Sequence, residues 1–158
     1  MRVREKRADD DAPLARILTG HFGGVTVAAH GREFRPLALA GFIAEEDGVP
    51  LGALTFESRS DEIEVITLGS LVENRGAGTA LLDAVTALAR SEGVRRLCLV
   101  TTNDNIRAIR FYQKRGWNLC ALYPDAVAAA RRIKPQIPLV GDRGIAIRHE
   151  IEFELRLD

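Results

Sequence analysis

With 158 residues the chain has the size of one domain, and a domain of that length buries roughly 70% of the surface its unfolded form exposes, so no staple is needed. Lysine plus arginine equals aspartate plus glutamate at 22 each, which leaves no net field to draw in nucleic acid or an anionic membrane. Cys98 and Cys120 lack paired or metal-type spacing and read as buried free thiols of a reducing compartment. Arg2, Arg4, Glu5, Lys6 and Arg7 stand where a signal peptide needs an apolar stretch, and no run approaches ~18 apolar residues, so a soluble cytoplasmic chain is expected.

Asp9, Asp10 and Asp11 ahead of Pro13 read as an N-cap with an acidic first turn. Leu14, Ile17 and Leu18 give the stripe of a short helix that Gly20, Gly23 and Gly24 end. Residues 21–39 are weakly patterned, with only Val25-Thr26-Val27 strand-like. Residues 41–46 and 51–56 flank Asp47-Gly48 as a hairpin, in which Val49-Pro50 is expected to lengthen the connection beyond two residues. A third strand covers residues 63–71. There follow a helix over 79–92, a strand over 95–100, a helix over 105–115, a strand over 117–123, an Ala-rich helix over 125–134 and a loop over 135–144. At the end Ile147, Ile151, Phe153, Leu155 and Leu157 alternate with Arg148, Glu150, Glu152, Glu154 and Arg156, the period of a half-buried strand. Antiparallel strands first and strand-helix-strand later predict an α/β fold of the α+β type, a single domain over 1–158 with a mixed sheet rather than a doubly wound one.

The residues between the third strand and the next helix carry the first functional signal, Glu73-Asn74-Arg75-Gly76-Ala77-Gly78. Gly76 and Gly78 let the backbone approach a ligand, while Leu81, Val85 and Leu88 fix one face of the helix to the sheet. Free N–H groups at the helix start then favour an anion, and three or four bonds of about 1.5–3 kcal/mol each are enough for a pyrophosphate. A Gly-x-Gly pair is equally compatible with a tight strand-to-helix turn. Leu81 stands where the dinucleotide fingerprint needs its third glycine, and no Gly-Lys-Ser/Thr follows, so both nucleotide folds are disfavoured.

A second stripe, Asn105, Ala108, Ile109 and Tyr112, lies on one face of the later helix. It serves equally as a core stripe or as a ligand wall with an amide, a low surface and a phenol. Arg107, Arg110 and Lys114 lie on the other side, either as a solvated face or as a contact for a ligand 3′-phosphate.

The two motifs in this order, closed by Gly116-Trp117, resemble the GNAT superfamily of acyl-CoA-dependent N-acyltransferases over about a third of the chain. Glu73 stands where that pattern has Arg or Gln, and Arg75 with the backbone is expected to compensate. The resemblance implies a mixed, mostly antiparallel sheet flanked by helices on both faces. It also implies a splay between strands 4 and 5, here the one ending near Leu71 and the one starting at Arg95, into which pantetheine inserts. The implied cofactor is acetyl-CoA as co-substrate, with no metal. Its implied contacts are Leu68, Gly69, Ser70 and Leu71, the loop Asn74, Arg75, Gly76, Ala77, Gly78 and Thr79, and Asn105 with Ala108. In that geometry an amine attacks the thioester directly, with Tyr112 as general acid to the departing thiolate. The implied acceptor is a primary amine, of a small molecule or else of a protein lysine or N-terminus. A non-catalytic acyl-CoA sensor is the reading from another class.

For the base, Glu64 alternates with Ile63 and Val65 and is placed on the face of Ile66 and Leu68. It reads either as an outward polar edge or as a buried carboxylate of raised pKa that takes the amine's proton through water. His149, interrupting Ile147 and Ile151, is either a satisfied core histidine or a lining of the acceptor site. The acceptor side is expected to be formed by residues 21–39, which hold His30, and by residues 123–144 as a lid. No histidine pair has metal-ligand spacing. The exposed closing strand offers an edge for a homodimer.

Overall fold

The computed structural model describes residues 1–158. Seven strands form one sheet in the order β1-β4-β5-β6-β7-β9-β8, with β1 Arg2–Glu5, β4 Ala40–Glu46, β5 Val49–Ser58, β6 Glu62–Ser70, β7 Arg96–Thr102, β8 Asn118–Tyr123 and β9 Glu150–Arg156. Only β6 and β7 pair in parallel; every other neighbour is antiparallel. Helices α1 Asp11–Phe22, α2 Ala77–Ser91, α3 Ile106–Lys114 and α4 Ala126–Ile133 complete the chain, with a small hairpin of β2 Val27–Ala29 and β3 Arg32–Phe34. No helix is long and apolar enough to cross a membrane.

The two faces of the sheet bury different sets of residues. Leu81, Leu82, Val85 and Ala89 of α2 pack with Tyr112, Trp117, Phe153, Leu54, Phe56, Ile63, Val65, Leu97 and Leu99 in the larger core. Leu14, Ile17 and Leu18 of α1 pack with Ile43 and Ala53 on the opposite face. The predicted α+β sandwich with helices on both faces is what the chain forms.

Several local expectations need correction. The β4–β5 turn is the two-residue Asp47-Gly48, both at positive φ (51° and 77°) as the tight hairpin turn requires. Pro50 does not lengthen it, because it sits within β5 opposite Glu45, where the register shifts. Asp10 does not cap α1. Its carboxylate turns back to accept from Arg4 and from the Arg7 backbone N–H at 2.7 Å. Cys98 is buried as expected, but Cys120 is exposed, because β8 is the edge of the sheet. For the same reason the closing strand offers no free edge: β9 lies between β7 and β8. A bulge in the β5–β6 ladder leaves Ile66 without a partner between Val65 and Thr67. Beyond it the alternation is displaced by one, so Leu68 packs with Ile63 and Val65 on the α2 side instead of sharing a face with Glu64.

Phe153 is fully buried between Tyr112 and the inner strands. Phe153→Ala should cost about 3–5 kcal/mol of unfolding free energy in urea titrations.

Candidate active site

The parallel ladder between β6 and β7 runs only through Glu62↔Arg96, Ile63↔Leu97 and Glu64↔Cys98. Both strands continue, β6 to Ser70 and β7 to Thr102, without pairing to one another. The result is a wedge within the sheet whose walls carry strand-edge backbone groups, the kind of edge that an added extended strand or ligand pairs with.

On the α2 side the wedge opens toward the glycine loop. Gly76 takes φ 79° as the residue before α2, a left-handed conformation that L side chains adopt at a cost. No side chain caps α2, so the backbone donors of Ala77, Gly78 and Thr79 have neither an intrahelical nor a capping partner. Gly78 sits close to α3: a Cβ there would lie 3.1 Å from the Phe111 ring, which would have to shift by a few tenths of an ångström. Three arginines surround this cradle. Arg75 pairs with Glu46, and Arg107 pairs with Glu73. Arg115 donates to the Thr79 hydroxyl at 2.6 Å and stacks 3.6 Å over the Phe111 ring. Glu73, at the position where a basic or amide side chain was expected, is thus neutralised by a guanidinium from across the cleft, and Arg107 is not merely a solvated residue. Arg115 escaped the sequence reading because nothing in its spacing links it to Thr79.

Asn105 caps α3, its Oδ1 accepting from Ala108 N–H at 3.2 Å while its Nδ2 donates to the Thr101 hydroxyl at 3.2 Å. Tyr112 is 8% exposed, enclosed by Phe111, Trp117 and Phe153. Burial pushes its phenol well above the ordinary range. No hydrogen bond reaches its hydroxyl, yet no side-chain oxygen is both buried and unpartnered, so the hydroxyl touches solvent. Along β6 the Ser70 carbonyl accepts from His21 Nε2 at 2.6 Å, and the Leu71 N–H is taken by the Leu51 carbonyl at 2.7 Å. Leu68 and Gly69 precede these at the wedge wall. His21, one turn after the Ile17–Leu18 pair of α1, is a contact that the weak pattern after Gly20 did not reveal.

The opposite face holds a cavity of about 150 Å³ lined by His30, Arg32 and Phe34 of the small hairpin, by Arg59, Glu62 and Glu64, by Arg96, Cys98 and Leu99, and by Glu152. Glu64 has a side chain only 4% exposed and accepts from His30 Nε2 at 2.6 Å and from Arg59 at 2.5 Å. Burial works to raise its pKa, but these two bonds outweigh burial and hold the carboxyl below its usual range. A raised pKa for Glu64 is therefore overturned. His30 moves the other way: its bond to Glu64 lifts the imidazole above its ordinary value against the opposing effect of burial. Burial pushes the Cys98 thiol up to about 12. Arg96 is shared by Glu62 at 2.8 Å, Glu152 at 2.5 Å and Glu154 at 2.5 Å. His149 is not brought to this cavity. It is half-buried, and its Nδ1 accepts from the Asp125 N–H at 2.9 Å beside the start of α4. The loop after α4 is strapped by Arg131, which donates to the carbonyls of Ile137, Pro138 and Ile147.

A sheet parted between two parallel strands, with a glycine-rich helix start on one face and an ionisable cavity on the other, defines the acetyltransferase class of fold. The chain belongs to the Acetyltransferase (GNAT) family, whose sequence profile matches residues 18–117. It is 45% identical over 146 residues to the uncharacterized protein YdhI of Bacillus subtilis (strain 168), covering 92% of this chain and 91% of that one. Among solved structures it is similar to an IAA acetyltransferase from Bacillus cereus ATCC 14579 (18% identity, TM-score 0.76, 99% of both chains). It is also similar to a Bacillus subtilis acetyltransferase in complex with CoA (15% identity, TM-score 0.74, 99% of both chains). At those identities the likeness is one of fold.

Arg96 holds Glu62 and Glu154 below the usual carboxylate range, and holds Glu152 there against burial. Depressed carboxyls stabilise the fold above their unfolded pKa, and that contribution disappears as pH falls through the folded values. Arg96→Met should therefore cost about 2 kcal/mol at pH 7, and the deficit relative to the parent should shrink below about pH 4 in urea titrations repeated across pH.

Proposed function

We propose that the chain is an N-acetyltransferase that moves the acetyl group of acetyl-CoA to a primary amine of a small molecule by direct attack in a ternary complex. The observation that carries this reading is the wedge between β6 and β7, with the anion cradle and Tyr112 on one face and the ionisable cavity on the other. On this reading the N–H groups of Ala77, Gly78 and Thr79 hold the pyrophosphate, with Asn74, Arg75 and Gly76 shaping the loop. The pantetheine amides pair with the backbone of Leu68, which the ladder turns away from β5, and Gly69, Ser70 and Leu71 continue that wall. Asn105 keeps donor capacity beyond its cap, and Ala108 leaves room beside it. The Bacillus subtilis acetyltransferase bound to CoA has the same fold over its whole length, which supports the choice of cofactor.

Tyr112 serves as the general acid. Its apolar surroundings keep the phenol protonated, and the same surroundings make a departing thiolate costly and so eager for a proton. Glu64 and His30 stand on the acceptor face and supply the base. A cavity of about 150 Å³ has room for a small amine. Its lining carries three carboxylates, Glu62, Glu64 and Glu152, each already bonded to Arg59 or Arg96, so an amine entering it meets acceptors shared with guanidiniums.

Titration calorimetry with coenzyme A should show binding that Gly78→Val weakens at least tenfold, since its methyl groups meet Phe111. Thiol release from acetyl-CoA should require an added amine, and Tyr112→Phe should lower kcat on the order of 10²-fold. Coenzyme A binding without release for any of a broad panel of amines would instead mark a sensor.

A further inference from the structure

Glu64 is poorly placed to meet a substrate. Its side chain is 4% exposed, and its two oxygens are occupied, Oε1 by His30 and Oε2 by Arg59. In front of it stands His30, whose side chain is 29% exposed and lines the cavity. Nε2 of His30 bonds to Glu64, an acceptor when ionised, so Nε2 carries the proton and Nδ1 carries the lone pair. No protein group bonds to Nδ1, and since no side-chain nitrogen is both buried and unpartnered, solvent reaches it.

The backbone at this position points the same way. His30 and Gly31 form the two-residue turn between β2 and β3, at φ 53° and 70°. Such a turn is best served by Asn-Gly, and a histidine at its first position accepts some backbone strain in exchange for the contacts its ring makes. The turn is held over the sheet by the His30 N–H, which donates to Glu150 at 3.1 Å. The ring stands edge-on to Tyr123, with centroids 6.1 Å apart. The ionisable groups around it are Glu64 and Glu62 of β6, Arg59 of the turn before it, Arg32 of β3, Arg96 and Cys98 of β7, Tyr123 of β8, and Glu150 and Glu152 of β9.

We propose that Nδ1 of His30 is the proton acceptor of the transfer and that Glu64 acts through it as a positioning residue, fixing the tautomer and orientation of the ring. The inference rests on the acetyltransferase reading. The ammonium of the acceptor gives one proton to Nδ1, and the freed amine nitrogen attacks the thioester carbonyl carbon. The C–N bond forms and the C–S bond breaks. The thiolate takes the phenolic proton of Tyr112, the second nitrogen proton returns through water to the phenolate, and His30 releases its proton to solvent. Amine acetylation thus yields one thiol, one amide and one proton from the ammonium. Because the bond to Glu64 raises the imidazole pKa, the neutral, accepting form gains population only as pH rises beyond the ordinary histidine value.

The test uses His30→Asn, which suits the positive φ of the turn and leaves Glu64 its bond from Arg59, together with Glu64→Gln, each checked for cooperative unfolding. With acetyl-CoA and the amines that the parent accepts, His30→Asn should lower kcat on the order of 10²-fold, abolish the acid limb of the pH profile and change the KM for acetyl-CoA by less than twofold. Glu64→Gln should move that limb to lower pH by about one unit. Nitrogen-15 spectra of the parent above the limb should show His30 protonated at Nε2 and bare at Nδ1. An unchanged acid limb in both variants, or a Nδ1-protonated ring, overturns the assignment of His30 while leaving amine-dependent, Tyr112-dependent thiol release intact. Absence of thiol release from the parent with every amine overturns the acetyltransferase reading and this inference together.

Discussion

The parallel pairing of β6 and β7 lasts three residue pairs and then stops, and the organisation of the site depends on that interruption. Backbone donors and acceptors in the middle of a sheet normally find each other, because an unpaired buried group costs about 1–3 kcal/mol. Here the two strands diverge while each stays fastened on its outer side, β6 to β5 and β7 to β9. The outer ladders supply the rigidity, so the wedge stays open without folding shut.

What lies on the two faces differs in kind. The α2 side offers bare amides at a helix start, flexible arginines that are already engaged by Glu46, Glu73 and Thr79, and a phenol set among aromatic rings. Ligand anions there would compete with Glu46 and Glu73 for Arg75 and Arg107, whereas Arg115 is held only by neutral oxygens and keeps its charge unopposed. The α1 side is a network of carboxylates, guanidiniums and one imidazole, in which the partners set each group's charge more than burial does. On the proposed reading these two environments match two proton transfers of opposite sense, one to sulfur and one from nitrogen, separated by the sheet.

Much of this was legible residue by residue. The period of 3.6 in α2 and α3 and the alternation of β9 were fixed by side chains whose burial needs are met locally, and Gly76, Asn105 and Tyr112 announced themselves through spacing along single elements. The four residues of β1 gave no such signal, because Val3 is the only apolar side chain among charged neighbours and the strand exists by pairing with β4, about forty residues away. The bulge at Ile66 was equally silent in the sequence, yet it decided that Leu68 and Glu64 look in opposite directions. Arg115 and His21 reach the cleft across tertiary contacts that no spacing rule encodes.

By itself, the order of strands and helices determined the class of fold and the place of the glycine-rich helix start, since hydrophobic period and glycine position act within a few residues of themselves. Only the tertiary structure decided the electrostatics of the α1 side of the sheet. His30, Arg59, Glu64 and Glu152 come from a hairpin, a turn and two strands far apart in the chain. The protonation of each depends on which charges stand within a few ångströms, and that is a property of packing rather than of sequence.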